Sequence, residues 1–413
     1  MVFVVLSAGT VLVALTKDIS VRKCSDWIDS YLKLTDHTEP PTIFHKWVAI
    51  SCIAACMQRK CVLPWGRLRF YPNFYIVIIA PPGRARKGTA MDIVMKFLEE
   101  PRLNIKLAAE SLTREQLIKE LIDSQEIITM PDGKIATHSS LTICNSELTV
   151  FLGYQNTQLI GDLTDWYDCK RHWRYRTKNS GHFDNTNIWV NLLGATTTEL
   201  LRMALPPVAI GGGLTSRMIF VYAAQKRATI PDPFVTPNDE IIEENLLDDL
   251  EQIVTLCGEY RPTVDYIEAR TEWYMINDAN PPCQDAIFAG YCDRRIATVS
   301  KLSIIMAASH SNELVVTADD FLRGVAFIEE AEQLMPMALS GIGQGKHADI
   351  MARLMAEVAL LKECTLDTLM WKFRNDVTHW EMERLIASLE VMKYCVYVSN
   401  THRIMYNEDF HRR

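Results

Sequence analysis

The sequence predicts an α/β core built on a largely parallel sheet, with a helical segment before it and a helical lid and a small winged helix after it. Three observations carry this. Apolar runs of strand length alternate with amphipathic helical stretches between residues 70 and 225, the pattern of βα units. From 239 to about 340 the apolar residues recur only at helical spacing. The stretch 347–410 then reads helix, helix, helix, hairpin.

Taken in order, residues 25 to 60 read as helices. Trp27, Ile28, Tyr31 and Leu32 mark the first, Pro40-Pro41 stops it, and a nearly all-apolar helix covers 43–58. Residues 62–80 read as strands with a turn at Trp65-Gly66. Thr113 and Gln116 form a capping box that opens the helix Arg114 to Ser124. Pro131-Asp132-Gly133 is a turn, and strands are expected at 141–144, 173–178, 187–194 and 217–222. Ala228 to Asn238 holds three prolines and reads as a linker. Asp239 to Glu251 holds seven acids and reads as a solvated helix face. Thr317 and Asp320 open a helix through Leu334, and 340–345 is a second linker. Helices follow at 347–362 and 366–374. Thr378 and Glu381 cap the helix His379 to Lys393, and Tyr394–Val398 pairs with Arg403–Tyr406 around Asn400. The division is therefore 1–60, 61–230, 236–342 and 347–413, within the range expected for 413 residues.

Composition sets bounds. The chain is 48% hydrophobic and 23% charged, as globular proteins are. Its eleven cysteines have no C-x-x-C spacing, and Cys52, Cys56 and Cys61 fall in or beside an apolar helix, so they read as buried thiols rather than zinc ligands. That usage suits a reducing compartment. The net charge of −8 argues against a protein that coats nucleic acid with its whole surface, though not against a local basic channel. The apolar residues 1–15 lack a basic n-region and are too short to span a bilayer. They read as a buried strand or an extension ahead of the true start, and no membrane association is expected.

Chemistry is suggested first between Asn73 and Ala90. The apolar run Phe74–Ala80 stops at Pro81-Pro82-Gly83, Lys87, Gly88 and Thr89 follow, and an amphipathic helix begins. Strand, glycine turn, Lys-Gly-Thr and helix is the plan of a P-loop, in which backbone N–H groups cradle phosphates, the lysine reaches the terminal ones and the hydroxyl binds Mg²⁺. The spacing departs from GxxxxGK[ST]: Gly83 is four residues before Lys87 instead of six, Arg86 stands at the second glycine, and Thr89 is one place late. Gly83, Arg86, Lys87, Gly88 and Thr89 are the candidate ATP contacts. A water-polarising carboxylate at a neighbouring strand end is the next requirement. Glu147, after Leu141–Cys144, supplies it, while Ser146 stands where an aspartate is usual, leaving Mg²⁺ to Thr89, phosphate oxygens, waters and Glu147. Thr196, at the end of the strand 187–193, is a candidate γ-phosphate sensor or a helix cap. Arg217, between a glycine-rich turn and an apolar strand, suits an arginine finger reaching a neighbouring subunit, or a structural ion pair. In Trp173 to Lys178 a strand would put Trp173, Tyr175 and Thr177 on one face and Arg174, Arg176 and Lys178 on the other. With Lys170 and Arg171 these form a candidate DNA contact, unless they pair with Asp162, Asp165 and Asp168. The C-terminal third helix carries only Arg384 and Lys393 against three glutamates, which favours packing or protein contact there over tight DNA reading.

The order of these parts resembles the AAA+ branch that contains the minichromosome-maintenance helicases. More closely, the stretches EPPTIFHKWVAISCIAA, RKGTA, SSLTICNSELTVFLG, LTDWYDCKRHWRYRTKNSG, WVNLLGATT and IGGGLTSRMIFVY resemble phage- and prophage-encoded replicative helicase-like P-loop ATPases, over roughly residues 25–340. The resemblance implies an AAA+/RecA-like P-loop NTPase core and a sensor-2 arginine on the lid, either Arg294 or Arg295. It further implies ATP and Mg²⁺ as cofactors, DNA (single-stranded first) as partner, and assembly as a hexamer. Contacts with other replication proteins would run through the winged helix, in the cytoplasm of a bacterial host. A nucleotide-binding initiator or loader with little turnover is the second reading. A small-molecule kinase is the third, but it leaves the lid, hairpin and winged helix without a task.

Overall fold

In a computed structural model the described residues are 21–130, 133–177, 181–206, 209, 212–282, 286–339, 346–374, 376–398 and 401–407. The expectations for residues 1–15, for the turn at Pro131-Asp132 and for the linker 340–345 lie outside them. The chain forms two compact units, Met1–Leu339 and Ser340–Arg413.

In the larger unit, α1 (Trp27–Leu34) and α2 (Thr42–Met57) precede β1 (Cys61–Trp65), β2 (Leu68–Phe70) and β3 (Tyr75–Ile79). Then come α3 (Lys87–Leu98), α4 (Arg114–Asp123), β4 (Gln125–Thr129), β5 (Ile135–Asn145), α5 (Leu148–Leu152) and α6 (Thr157–Tyr167). The hairpin β6 (His172–Thr177) and β7 (Gly181–Thr186) leads to β8 (Ile188–Thr196), α7 (Thr198–Ala204) and β9 (Met218–Tyr222). The central sheet has the order β4-β5-β8-β3-β9, with β4 antiparallel at one edge and the other four strands parallel. Neither β4 nor β7 is anticipated by the sequence pattern. Alternating burial along β4 and its edge position explain the former, since an edge strand needs no continuous apolar run.

β3 and β8 are buried at every position, as strands covered on both faces must be. Helix α2, with thirteen buried residues, covers one face. Its Ser51 hydroxyl accepts from Asn191 Nδ2 at 2.9 Å, while Asn191 Oδ1 accepts from Phe74 N at 3.0 Å, so a fully buried amide in β8 is satisfied. Tyr75 donates to Leu163 O at 2.7 Å, and by strand alternation this places α6 on the opposite face. Trp27, Tyr31 and Phe97 form an aromatic cluster between α1 and α3. Each such fully buried side chain contributes about 1.5–3 kcal/mol.

The helical segment contains α8 (Pro237–Thr255), the short strands β10 (Gly258–Glu259) and β11 (Arg261–Pro262), α9 (Val264–Ala279), α10 (Ala289–Cys292) and α11 (Arg295–His310). β12 (Val315–Val316), α12 (Ala318–Glu332) and α13 (Met335–Ala338) complete it. It belongs to the same compact unit as the sheet, because β10 pairs with β1 and the segment Arg22–Cys24 is bonded to its helices. The acid-rich face of α8 is not wholly solvated. Asp249 is fully buried and accepts from Lys23 N at 2.7 Å and Cys24 N at 3.0 Å, which anchors the chain ahead of α1. Asp26 caps α1, receives Arg323 at 2.5 Å and accepts from the Ser309 hydroxyl at 2.7 Å. Burial raises its pKa, but Arg323 and the other donors outweigh this and hold the carboxyl below its usual range. Among the described residues no helix is long and apolar enough to cross a membrane.

The smaller unit runs α14 (Lys346–Leu361), β13 (Glu363–Thr365), α15 (Leu366–Lys372), α16 (His379–Val391), β14 (Cys395–Val398) and β15 (Arg403–Tyr406). β15 lies between β13 and β14, antiparallel to both. The capping box of Thr378 and Glu381 is present. Leu354, Val358, Leu369, Met382, Leu389 and Ile404 form its separate core.

Two buried histidines give the fold a pH dependence. Burial, reinforced by Arg227, holds His45 down to about 3, and burial with Lys60 and Arg59 holds His138 down to about 4. Both are neutral in the folded chain but take up a proton near 6.5 once unfolded. Stability should therefore fall as pH drops below 6.5, by up to about 1.4 kcal/mol per pH unit for each group. A series of thermal melts between about pH 7 and about pH 5 checks this. Replacing both with glutamine should flatten the slope.

Candidate functional site

Parallel pairing brings the carboxyl ends of four strands to one edge. Ile79 lies opposite Thr196 and Tyr222, and Asn145 lies opposite Gly194. Open α/β sheets bind ligands outside this edge. The connection from β3 to α3 begins there with a turn closed by Arg84 N on Pro81 O at 3.3 Å, in which Gly83 takes φ +69°. Arg86 then adopts φ +53°, ψ +42° as N-cap of α3. A left-handed non-glycine residue costs about 1–2 kcal/mol, and it sits where the P-loop pattern has its second glycine. No side chain caps α3, so the first-turn N–H groups of Lys87, Gly88 and Thr89 are left for a ligand or water. A Cβ at Gly83 or Gly88 would meet nothing, so backbone conformation rather than crowding is what Gly83 supplies.

Lys87 Nζ donates to Ala80 O at 2.9 Å. Burial lowers its pKa below the usual lysine value, partly countered by the charges of Glu147 and Glu199. Lys87 and Glu147, sixty residues apart in sequence, are thus within electrostatic reach. Glu147 occupies the N-cap position of α5 without capping it, and its exposed carboxylate is left to other work. Its backbone N–H donates to Asn145 Oδ1 at 2.9 Å, and Asn145 Nδ2 donates to Glu110 O at 2.7 Å. Asn145 is therefore a positioning residue for Glu147. Thr196 is buried at the same edge. The cap of α7 is Thr197, not Thr196, because the Thr197 hydroxyl accepts from Leu200 N at 3.3 Å.

Cations surround the β3–α3 connection. Glu39 receives Arg86 Nε at 2.7 Å, Lys226 Nζ at 2.5 Å and Ile230 N at 3.1 Å. The Lys226 bond, then the Ile230 N–H and Arg86, hold its carboxyl down to about 2. Lys226 N donates to Arg84 O, and Arg227 N to Glu39 O. A cavity of about 510 Å³ lies between Gly83, Arg84, Lys226 and Arg227, and another of about 390 Å³ lies against Thr89, His37 and Phe234. Sequence spacing carries no signal for Glu39, which stands 47 residues before Arg86.

Arg217 lies at the other edge, just ahead of Met218, which pairs with Tyr75. It donates to Asp168 at 2.7 and 3.2 Å and to Gly213 O at 2.8 Å, with 9% of its side chain exposed. Arg294 reaches the same Asp168 at 3.9 Å. The five residues of β9 rise about 3.3 Å each, so about 16 Å of strand separates Arg217 from the phosphate-loop edge of its own chain. Arg295 is instead buried between helices, bidentate to Glu332 at 2.6 and 2.7 Å and stacked on Trp273.

The β6–β7 hairpin stacks Trp173 on Tyr175 and sets Trp173 edge-on to Trp166. Arg114 covers Tyr175 and bonds Asp162 at 2.6 Å, so Asp162 is engaged by α4. Lys170 pairs with Asp165 at 2.8 Å, and Arg171 and Arg174 are exposed. The side chain of Arg176 and all of Lys178 lie outside the described residues. Cys52, Cys56 and Cys61 are fully buried, and burial pushes Cys61 up to about 12.

A Cβ on Gly194 would stand 2.9 Å from both Cβ and Cδ1 of Leu148, the residue after Glu147. Gly194→Ala should therefore displace α5 and cost about 1–3 kcal/mol of stability. If Glu147 acts on a bound ligand, activity should fall more than binding does, which parallel melting, binding and turnover measurements would separate.

No protein-family model matches the chain, and no curated protein matches it.

Proposed function

We propose that this chain is a DNA-dependent ATPase motor, a helicase or translocase that works as a ring, the resemblance implying six subunits. The observation that carries the reading is the meeting of Lys87, Glu147 and Thr196 beside an uncapped helix start at the carboxyl edge of the parallel sheet. An uncapped helix start flanked by Lys87, Arg84, Arg86 and Lys226 suits a triphosphate. The adjoining cavity of about 390 Å³, walled by His37 and Phe234, suits its base. Thr89 and Glu147, one hydroxyl and one carboxylate and both exposed, fit an Mg²⁺ held mainly by phosphates and water. Bound there, the ion would neutralise phosphate charge.

Within this reading Lys87 exchanges Ala80 O for the terminal phosphates. Glu147, steadied by Asn145, orients the attacking water, and Thr196 senses the γ-phosphate. Arg217 and Arg294 share Asp168 at the far edge, out of reach of their own chain's phosphate loop, which supports action on a neighbour's nucleotide in a ring. The hairpin residues Lys170, Arg171, Arg174, Arg176 and Lys178 contact the DNA backbone. The element order of the smaller unit is that of a winged helix. A phage or prophage origin and a bacterial cytoplasmic setting belong to this proposal.

A second reading, an initiator or loader that uses ATP only to assemble, is favoured by one observation. The β3–α3 connection is already tied down, Arg86 by Glu39 and Lys87 by Ala80 O.

Turnover of ATP with and without single-stranded DNA separates the two. A motor should show DNA-stimulated hydrolysis, with Lys87→Ala at least about a hundredfold slower. Tight ATP binding with no turnover would move the assignment to the initiator or loader, and full activity in Lys87→Ala would sink the site itself. Arg217→Ala should keep ATP binding and lose turnover. Mixing it with Lys87→Ala should restore part of the activity, because one subunit supplies the site and the other the arginine. Absence of any restoration would argue against action in trans.

A further inference from the structure

The smaller unit carries two tryptophans that its own core does not use. Trp371, in the last turn of α15, is 71% exposed, and Trp380, in the first turn of α16, is 65% exposed. They bracket one short connection, 373–378. Each has a guanidinium over its ring: Arg374 at 4.7 Å from the Trp371 centroid and Arg384 at 4.9 Å from that of Trp380. With one face covered, indoles this exposed still offer the other face to a partner. Among the described residues neither arginine has a carboxylate partner, Arg374 donating only to Trp371 O at 3.1 Å. Three of the acids nearby are engaged elsewhere. Glu381 accepts from the N-cap Thr378 at 2.8 Å, Asp376 pairs with Arg353 at 2.9 Å, and Glu357 with Lys372 at 2.5 Å. Residues 340–413 hold as many Lys and Arg as Asp and Glu, so the net charge of −8 belongs to the larger unit and does not burden this face.

We propose that the Trp371–Arg374 and Trp380–Arg384 pairs form a docking surface for a single nucleic-acid strand. Unstacked bases would lie on the open indole faces, and the backbone phosphates would meet the two guanidiniums. A duplex is the poorer occupant. Its bases are already stacked on one another, so they are not free to lie on the indoles. The surface does not depend on the nucleotide reading, since it would bind a strand whether or not the larger unit hydrolyses ATP.

The test uses the full chain and a labelled oligo-thymidine of about 20 nucleotides, with a duplex of equal length beside it. The joint variant Trp371→Ala, Trp380→Ala should bind the single strand about tenfold or more weaker, and Trp371→Phe with Trp380→Phe should recover most of the loss. Arg374→Ala with Arg384→Ala should reduce the salt slope by about 1.4, two phosphate contacts at about 0.7 each. Both indoles are exposed, so melting should be unchanged. Photocrosslinking of the unaltered chain to a bromodeoxyuridine strand should label Trp371 or Trp380, which keeps the test independent of any variant. Unchanged affinity in the alanine pair, with crosslinks only elsewhere such as the β6–β7 hairpin, overturns the proposal and returns the face to a protein partner. Equal or tighter binding of the duplex overturns it as well.

Discussion

The larger unit depends on the parallel register of β3 with β8 on one side and β9 on the other. Parallel strands cannot be joined by tight turns, so each connection must cross back over a face, and every strand then ends at the same edge. That edge collects the Lys87 connection, Glu147, Thr196 and the Lys226–Arg227 segment from parts of the sequence that share no local pattern. The register survives because both faces are covered and the two buried amides beside it, Asn191 and Asn73, are satisfied. Asn191 is held by Ser51 and Phe74 N. Asn73 donates to Tyr167 O at 2.9 Å and accepts from the buried Lys301 ammonium at 2.8 Å. Leaving either amide unpaired would cost about 1–3 kcal/mol. A one-residue slip would turn every side chain of β3 to the wrong face.

The same register divides the cationic groups between two edges. Lys87, Arg84, Arg86, Lys226 and Arg227 gather at the carboxyl edge, while Arg217 and Arg294 gather on Asp168 at the other. A strand of five residues lies between, longer than any arginine side chain can bridge. If all these charges act on one phosphate chain, they must come from two copies of the protein. Asp168 then has a definite task in the single chain. It holds Arg217, which also donates to Gly213 O and lies over the Tyr167 ring, and has Arg294 at 3.9 Å beside it. It is 39% exposed, so water screens the pairs and they can be exchanged for a stronger anion.

The sheet was readable where burial on both faces writes itself as an unbroken apolar run, as in Tyr75–Ile79 and Met218–Tyr222. It was not readable at Gln125–Thr129, an edge strand with no continuous apolar run that follows directly on a helix. Asp249 was misread for a related reason: a carboxylate in a run of acids looks solvated until the segment Arg22–Cys24 folds over it. In the candidate site, Lys87, Glu147 and Thr196 stood out because each follows an apolar run at a strand end. Glu39, Asn145 and Gly194 did not, and Asp168 stood out only as a possible partner of the basic strand, not of Arg217. Their importance comes from contacts 47, 35, 46 and 49 residues away in sequence, and no spacing rule reaches so far. Arg294 and Arg295 are neighbours whose roles only helix phase separates: one reaches Asp168, and the other is locked to Glu332.

The departure of this phosphate-loop candidate from GxxxxGK[ST] also has a physical reading. The pattern has glycine immediately before the lysine, a residue that adopts a left-handed backbone without strain. Here Arg86 adopts it, at φ +53°, and its side chain is fastened to Glu39. The ion pair helps offset the backbone cost, and it also brings one negative charge to a place where cations converge. Lys226 is neutralised by the same carboxylate. Without Glu39, Arg86 and Lys226 would face each other unscreened across the turn. With it they are held near one another at fixed spacing. An incoming polyphosphate would have to compete with Glu39 for these two partners while gaining the free N–H groups of α3 and the Lys87 ammonium. Replacing glycine with arginine thus need not abolish an anion site. It changes what the site contains before an anion arrives, and it makes binding an exchange of one acid for another.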